Sequence, residues 1–289
     1  MTKVQTGLVI EFYSNSCLVR TKEHDIPCIG IKDVVVGDQV NIEIIQDSKK
    51  IRGVILSKEP RKSSLRKKEN SKSKVIAANL SHVGILFTPQ PKTTSEFIDK
   101  WILTTILSDI KPFIICNKID LEHDELYERN LSVYEKLDIE IIKISAKKEL
   151  NTNNLINFLK EKCVLFVGNS GAGKSTITSL LTGKKIKTNS LSNNQGMHTT
   201  SISTLYQTKN DISIIDSPGV RDLPISGWNK DEILFGFQEI YKQSKKCKFN
   251  DCNHINNKEC AVLDHLSNGE IDESRYNNFI KFRDSDNCE

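Results

Sequence analysis

The fold of the middle of the chain is set by the stretch Cys163-Val-Leu-Phe-Val-Gly168-Asn-Ser-Gly-Ala-Gly173-Lys174-Ser175. The apolar run before Gly168 predicts a buried strand, and a helix is expected from Lys174 onward. Between them lies the spacing Gly-x4-Gly-Lys-Ser, in the strand-then-helix setting that a phosphate-binding loop requires. Glycines let backbone N–H groups approach phosphate oxygens closely, and the helix N-terminus adds partial positive charge.

Every residue of this loop, and the residue after it, is therefore a predicted nucleotide contact. The set is Gly168, Asn169, Ser170, Gly171, Ala172, Gly173, Lys174, Ser175 and Thr176. Lys174 is expected to reach the β- and γ-phosphates and to act in catalysis, while the Ser175 hydroxyl is expected to bind Mg²⁺.

A second motif, Asn117-Lys118-Ile119-Asp120, follows the apolar run at 113–116. The Asp120 carboxylate can accept two hydrogen bonds from the N1–H and N2–H₂ edge of guanine. Adenine offers no such pair, so ATP would leave a charge unpaired, a loss of several kcal/mol. Lys118 can lay its methylene stem on the base, and Asn117 can tie this loop to the phosphate loop.

A third motif, Ser145-Ala146-Lys147, follows the apolar run at 139–144. The backbone N–H of Ala146 is the expected donor to the guanine O6 atom. Ligands of doubly wound sheets bind at the carboxyl ends of the strands, where both base-reading motifs are predicted to lie. Together with the phosphate loop they predict a guanine-nucleotide site.

Two more motifs are typical of the switches of such a site. Asp216-Ser217-Pro218-Gly219 follows the apolar run at 212–215; Asp216 is expected to hold Mg²⁺ through water, and the Gly219 N–H to sense the γ-phosphate. In His198-Thr199-Thr200, Thr200 is the preferred Mg²⁺ ligand and Thr199 the alternative.

The motifs lack the glutamine that orients the attacking water in Ras-type enzymes. Val220 stands where Ras-type enzymes carry a glutamine, and valine cannot orient water. Intrinsic hydrolysis is therefore expected to be slow unless another residue acts. His198 is the nearest candidate; the alternative is a solvated loop histidine.

The order of the motifs narrows the fold. In a Ras-like domain the phosphate loop comes first and the base-reading motifs last, whereas here the base-reading motifs lead. This order predicts an α/β fold, a circularly permuted Ras-like P-loop GTPase domain. Termini of compact domains are often close, so rejoining them preserves the site. The segment after Asp216 then leads directly into the C-terminal region and could transmit changes at the γ-phosphate.

The flanking regions predict two further domains. Short apolar runs at 4–12, 17–21, 26–31, 39–45 and 51–56 predict a small β-barrel, OB-like by preference and SH3-like as the alternative. Residues 58–74 are rich in lysine and arginine without a strand or helix period and are expected to form a linker. The predicted domains are 1–70 for barrel and basic linker, 71–224 for the GTPase domain and 225–289 for a helical zinc-binding domain.

Within the central domain, apolar runs at 83–87, 113–116, 139–144, 163–167 and 212–215 alternate with helical stretches near 94–108, 122–137, 152–161 and 174–182. This alternation predicts a doubly wound parallel sheet. Later helices are expected over 231–246 and 274–284.

The C-terminal region contains four potential metal ligands within 14 residues: Cys247, Cys252, His254 and Cys260. Three cysteines and one histidine form a common structural zinc set, and no open coordination position is needed. One structural Zn²⁺ is therefore predicted. The remaining cysteines within apolar runs, Cys17, Cys28, Cys116 and Cys163, are expected in cores.

Composition favours a cytoplasmic protein. The chain has 289 residues, a net charge of +4 and eight cysteines. No apolar run approaches the roughly 18 residues of a membrane span, and no apolar signal region is seen. Cysteines in the cytosol stay reduced, which favours metal binding over disulfides.

Taken together, the chain resembles the ribosome small-subunit-dependent GTPase A family, RsgA, also called YjeQ or YloQ. The resemblance rests on the motif order, Gly196-Met-His198-Thr-Thr200, the Cys-x4-Cys-x-His-x5-Cys spacing and Ser274-Arg-Tyr276. Ser217 departs from the usual threonine. The resemblance implies GTP hydrolysis stimulated by the small ribosomal subunit, a role in its late maturation, rRNA contact by barrel and zinc domain, and a catalytic His198.

The expected partners are thus GTP or GDP and the small ribosomal subunit with its rRNA, with no membrane and a monomeric protein. Three alternative functions share some of these features. The first is an rRNA-binding module in which GTP only stabilises one conformation and hydrolysis is incidental. The others are a permuted GTPase of the large subunit and a metabolic P-loop kinase.

Overall fold

The computed structural model describes residues 3–13, 16–29, 32–47, 50–69, 72–185, 202–217, 220 and 227–285. Within these ranges the chain forms thirteen strands and eight helices. The bounds of most strands lie within two residues of the predicted apolar runs. This agreement arises because buried strands carry alternating or continuous apolar residues, a pattern that the sequence shows directly.

The N-terminal region is a closed five-stranded barrel. Its strands run in the order β1-β2-β3-β5-β4, and β4 pairs again with β1. The β3–β5 pair is parallel and the other pairs are antiparallel. This crossed connection fits the Greek-key barrel of the OB type and confirms the preferred prediction. The strands are β1 (Lys3–Phe12), β2 (Ser16–Arg20), β3 (Asp25–Ile29), β4 (Gln39–Asp47) and β5 (Lys50–Lys58).

The predicted linker at 58–74 is wrong for most of its length. Strands β6 (Ser64–Glu69) and β7 (Lys72–Ala78) form an antiparallel hairpin. Leu65 and Ala77 are fully buried in the large core shared with the central domain. The charged residues between them hide the strand period, and it is this burial against distant residues that stabilises the hairpin.

The central sheet places β10-β9-β8-β11-β13 side by side in parallel, as predicted. Its strands are β8 (His82–Phe87), β9 (Lys111–Asn117), β10 (Glu140–Ile144), β11 (Cys163–Val167) and β13 (Ser213–Asp216). One strand was not predicted: β12 (Ser203–Gln207) is antiparallel to both β13 and β1. It joins the barrel and the central sheet into one sheet of eleven strands.

Helices cover both faces of this sheet, so the doubly wound prediction is confirmed. Helices α1 (Ser95–Ile106) and α2 (Glu125–Glu135) pack on one face. Helices α3 (Thr152–Leu159) and α4 (Lys174–Thr182) pack on the other. The side chains of Thr94 and Asp124 each accept one hydrogen bond from the backbone N–H three residues later. These bonds fix where α1 and α2 begin.

The C-terminal domain is helical. It contains α5 (Lys230–Gly236), α6 (Gln238–Ser244), α7 (Ala261–Ser267) and α8 (Glu273–Arg283). The single helix expected over 231–246 is broken at Phe237, whose ψ of 76° is not helical and whose ring is fully buried. Helix α7 was not predicted.

A buried ionic network fastens this domain to α1. Arg275 of α8 donates to Asp99 of α1 and to Glu239 of α6, each at 2.7 Å. The Tyr134 hydroxyl and the Asn278 amide also donate to Asp99. Burial raises the pKa of the Asp99 carboxyl, and the Arg275 guanidinium opposes that rise. Within the described ranges, no helix has both the length and the apolar character that crossing a bilayer requires.

Candidate nucleotide site and metal centre

The predicted nucleotide-binding residues meet at one edge of the central sheet. Strands β9, β10, β11 and β13 end at Asn117, Ile144, Val167 and Asp216. All four run parallel, and the register sets Ile144 opposite Asn117. The carboxyl ends of parallel strands share an edge, so the two base-reading motifs, the phosphate loop and Asp216 lie together there.

The phosphate loop owes its shape to its glycines. Gly171 and Gly173 have φ values of 79° and 108°, where a side chain would be strained. A Cβ atom at Gly173 would also come within 2.3 Å of the Asn117 amide nitrogen. The Lys174 ammonium lies over the loop and donates to the carbonyls of Gly168 and Asn169. The loop thus brings a cation beside the backbone of its own first residues.

One buried amide connects the three loops. The Asn117 Nδ2 atom donates to the Ala172 carbonyl at 2.9 Å, and the Asn117 Oδ1 atom accepts from the Ala146 N–H at 3.0 Å. Asn117 is 2% exposed. The link from Asn117 to the phosphate loop was predicted from the sequence. The Ala146 N–H, predicted to donate to guanine, bonds to Asn117 in this structure.

Asp120 lies exposed at the mouth of the same edge. A hydrogen bond from the buried Ser145 hydroxyl lowers the pKa of the Asp120 carboxyl, and Lys147 and Lys148 act in the same direction. The carboxylate therefore stays ionised and able to accept hydrogen bonds. Lys118, two residues before Asp120, has a left-handed φ of 68°. Ile119 donates its N–H to the Ile144 carbonyl, which holds the motif against β10.

The end of β13 is only partly described. Asp216 is exposed, and the buried Ser217 hydroxyl is 2.9 Å from the Ser203 hydroxyl of β12. Val220 is 7% exposed and packs in the large core. Its side chain therefore has a packing role, consistent with the expectation that it does not orient water. The predicted site residues His198, Thr199, Thr200 and Gly219 lie outside the described residues.

Sequence reasoning missed a further loop at this edge, the one that follows β8. Residues 88–94 connect β8 to α1, and two of their carbonyls accept hydrogen bonds from predicted site residues. Gln90 accepts from the Lys118 ammonium, and Lys92 accepts from the Asn169 amide. The segment matches no nucleotide motif; its position after a predicted central strand was the only available signal.

The four predicted metal ligands converge in the C-terminal domain. One ligand atom from each of Cys247, Cys252, His254 and Cys260 lies within 4.8 Å of all the others. The Cys247 and Cys260 sulfurs are 3.9 Å apart, and each is 3.6 Å from the His254 Nδ1 atom. Tetrahedral coordination with metal–sulfur bonds of about 2.3 Å separates two sulfurs by about 3.8 Å. The residues therefore fit a tetrahedral metal ion.

The surroundings of the cluster also suit a metal. Burial raises the pKa of the Cys260 thiol to about 12, so a bound cation is needed to hold it as thiolate. His254 is buried with a left-handed φ of 58°, and its carbonyl accepts a 2.6 Å hydrogen bond from Tyr276. The backbone thus fixes the ring that faces the sulfurs. Of the other cysteines, Cys17, Cys28 and Cys116 are buried and Cys163 packs against the large core, as predicted.

Comparison with known proteins agrees with this architecture. The family model described as RsgA GTPase matches residues 58–226. A small ribosomal subunit biogenesis GTPase RsgA from Flavobacterium psychrophilum is 33% identical over 270 residues, covering 89% of this chain and 83% of the relative. The protein of that name from Actinobacillus pleuropneumoniae serotype 5b is 32% identical and covers 98% of this chain and 86% of the relative.

Two solved structures share the fold. YjeQ from Thermotoga maritima superposes with a TM-score of 0.78 at 28% identity, covering 99% of this chain and all of that one. YloQ, a circularly permuted GTPase, superposes with a TM-score of 0.74 over 98% of this chain and 95% of its own; at 20% identity it supports the fold alone. The motif order, the sheet edge and the extent of these matches agree, and the chain therefore belongs to the RsgA GTPase family.

Proposed function

We propose that this GTPase binds the small ribosomal subunit, assists its late maturation and is stimulated by it to hydrolyse GTP. The observation that carries the proposal is the buried Asn117 amide, which joins the phosphate loop to both base-reading loops at one sheet edge. The same chain carries a barrel and a Cys₃His domain, and relatives covered over more than four fifths of their length are named small ribosomal subunit biogenesis GTPase.

In this proposal the nucleotide is held by the residues predicted from the sequence. Asp120 reads the guanine edge, Lys118 supports the base, and the phosphate loop surrounds the phosphates with Lys174 near the β- and γ-groups. Ser175 and Thr200 are the direct Mg²⁺ ligands, with Thr199 as the alternative to Thr200. Bound Mg²⁺ would neutralise charge on the phosphates. Asp216 acts through water, and the Gly219 N–H senses the γ-phosphate.

Hydrolysis is proposed to depend on His198, which orients the attacking water when the protein is bound to the subunit. Val220 packs in the core and contributes stability. Free protein is therefore expected to turn over slowly.

The metal is proposed to be a single structural Zn²⁺ bound by Cys247, Cys252, His254 and Cys260. Three sulfurs and one ring nitrogen complete a tetrahedron, so no position is left for substrate. Its contribution would be to the stability of the domain proposed at 225–289. The boundary proposed between 1–70 and 71–224 falls inside the β6–β7 hairpin, which packs in the core of the central domain.

Two basic surfaces are proposed to contact rRNA, and the first lies on the segment that the sequence predicts to be a basic linker, residues 58–74. Arg61 is bound to the buried Asp38, and Lys68 is bound to Glu232. Lys62 and Arg66 remain exposed on the same segment. A second basic surface runs from the end of α5 along α6 to residue 249. Its exposed cations include Lys242, Lys245 and Lys246, and its exposed rings are Phe235 and Phe249. The partly buried Tyr241 ring contacts Phe235 and Lys245. Cations and exposed rings are the groups that bind single-stranded RNA.

This surface can be tested through salt dependence. Neutralising Lys62, Arg66, Lys242, Lys245 and Lys246 together should flatten the fall of subunit affinity with salt, because fewer counterions are displaced from phosphates. Replacing Arg61 alone should instead lower the stability of the protein, because the buried Asp38 would lose its ion-pair partner. An unaltered salt slope in the fivefold variant would place the RNA contacts elsewhere.

The decisive experiment measures GTP turnover of the purified protein alone, with small subunits and with large subunits. The proposal expects strong stimulation by the small subunit only. Stimulation by the large subunit would favour a large-subunit GTPase, and tight GTP-dependent binding without turnover would favour an RNA-binding module. Sedimentation of the free protein tests the proposed monomer, and fractionation of cells tests the proposed cytoplasmic location.

A further inference from the structure

The loop at 88–94 is shaped by its own buried hydroxyl groups. The Thr88 N–H donates to the Thr93 hydroxyl at 3.1 Å, and the Thr88 hydroxyl donates to the Pro91 carbonyl at 2.7 Å. The Thr93 N–H returns to the Thr88 carbonyl at 3.3 Å. Both threonine side chains are almost fully buried, at 0% and 2% exposed. The loop is therefore a closed turn whose exposed tip, residues 90–92, is fixed from beneath.

That tip lies between the two halves of the nucleotide site. The Gln90 carbonyl accepts a hydrogen bond from the Lys118 ammonium in the guanine-reading motif. Two residues later, the Lys92 carbonyl accepts a 3.2 Å hydrogen bond from the Asn169 amide in the phosphate loop. Pro91 lies against Gly171, where an added Cβ atom would come 3.7 Å from its ring.

Each contact holds a residue of a predicted nucleotide-binding loop. Lys118 has a left-handed φ of 68°, a conformation that ordinary residues adopt at an energetic cost. Its ammonium is anchored at Gln90, which directs its methylene stem along the edge of the sheet. Asn169 follows the first glycine of the phosphate loop and is half-buried.

We propose that the loop at 88–94 is a positioning element for guanine nucleotides. Thr88 and Thr93 fix the two carbonyls, and these set the spacing between the guanine-reading loop and the phosphate loop before nucleotide binds. The inference rests on the proposed nucleotide binding at this edge. Neither contact involves the position of a γ-phosphate, so the loop acts on GDP and GTP alike and controls their release, leaving the hydrolytic step unaltered.

The test is the rate at which a fluorescent GDP derivative leaves the full-length protein. Thr93→Val keeps the size and branching of the side chain but removes the hydroxyl that Thr88 requires. Release should accelerate about tenfold, the effect of losing roughly one hydrogen bond in a buried site. The single-turnover rate of bound GTP should not change. Thr93→Ser restores the hydroxyl and should bring release back near the original rate.

A matched control is Thr105→Val. Thr105 lies on α1, is fully buried and donates its hydroxyl to the Trp101 carbonyl, away from the loop. The Thr105→Val protein also loses one buried hydroxyl, and GDP should leave it at the same rate as it leaves the unchanged protein. Equal acceleration in Thr105→Val, or unaltered release in a folded Thr93→Val protein, would overturn the proposal.

Thr88→Val provides a second test if Thr93→Val fails to fold. It removes the hydroxyl that donates to the Pro91 carbonyl and leaves every predicted nucleotide contact in place, so release should again accelerate. Unaltered release in a folded Thr88→Val protein would also overturn the proposal. An unchanged protein that binds no GDP would overturn the proposed function itself, a different result from normal binding with unaltered release in the variants.

Discussion

The nucleotide site and the metal cluster are built in opposite ways. The nucleotide site draws its loops from four strands between residues 117 and 216, and its central hydrogen bond joins residues 55 positions apart. The metal cluster takes all its ligands from 14 residues, 247 through 260. The first therefore exists only when the whole sheet is in order, whereas the second closes a short loop at small entropic cost.

The two regions nevertheless share one helix. Helix α1 begins directly after the loop at 88–94, which contacts the nucleotide edge. Its buried Asp99 bonds to Arg275 of the metal-binding domain. The nucleotide site and the metal cluster therefore use separate residues, but helix α1 connects the two regions. The following changes separate them, from the largest expected effect to the smallest.

The largest effect is expected within the nucleotide region. His198→Ala should remove most of the subunit-stimulated rate, a loss of roughly 10³- to 10⁵-fold where a completed site supplies that factor. GTP affinity, subunit binding and metal content should persist, because the imidazole is proposed to act on water only. Single-turnover hydrolysis on purified small subunits measures the rate. Normal hydrolysis by the His198→Ala protein on small subunits would contradict a catalytic role for His198.

A second change tests base recognition alone. Asp120→Asn should weaken GTP binding by roughly 10²- to 10⁴-fold, because the amide cannot accept both hydrogen bonds of the guanine edge. It should favour xanthosine triphosphate, which offers an acceptor in place of the amino donor. Titration with both nucleotides measures the preference, and metal content serves as the control. Unchanged GTP affinity would contradict the role given to Asp120.

A third change addresses the metal side. Cys252→Ser should lose the metal and loosen residues from about 231 onward, while nucleotide affinity survives in the separate central domain. Metal analysis and proteolysis measure the loss, and Cys163→Ser, which alters a cysteine outside the cluster, is the control. Full metal content in Cys252→Ser, or no zinc in the unchanged protein, would contradict the assignment.

A fourth change tests the connection. Arg275→Met leaves Asp99 buried without its cation and should destabilise the protein by about 3–5 kcal/mol. The pKa of Asp99, already raised by burial, should rise further. A carboxyl whose folded pKa exceeds its unfolded value loses stability as pH rises through the folded pKa. Urea unfolding compared at two pH values above the ordinary carboxyl range should therefore show the larger deficit at the higher pH. Lys281→Met, at an exposed ion pair of the same helix, should change little at either pH.

The smallest effect is expected at Val220. Val220→Ala should lower stability by about 1–2 kcal/mol through lost packing in the large core, while the stimulated rate stays nearly constant. Thermal unfolding and turnover are measured on the same preparation. A large fall in rate without a fall in stability would contradict the packing role given to Val220.

Much of the candidate site was available from the sequence because its motifs are local. Short spacings identified the phosphate loop, both base-reading loops and the metal ligands, since each set is confined to a few residues after a strand or within one loop. The hairpin at 64–78 was missed, because its charges conceal two strands that are stabilised by Leu65 and Ala77 in a distant core. The break at Phe237 was missed for a similar reason: close contact between Gly236 and Leu103 of α1 accompanies it.

The sequence by itself determined the chemistry: a guanine nucleotide site in permuted order, and a Cys₃His cluster. These depend on residue type and spacing, which the chain carries locally. Only the tertiary structure decided how the parts are joined. Strand β12 merges the barrel with the central sheet, Arg275 fastens the metal-binding domain to α1, and the loop at 88–94 spans the nucleotide edge. Those contacts link residues far apart in the chain, and burial and hydrogen bonding select them only once the sheet has formed.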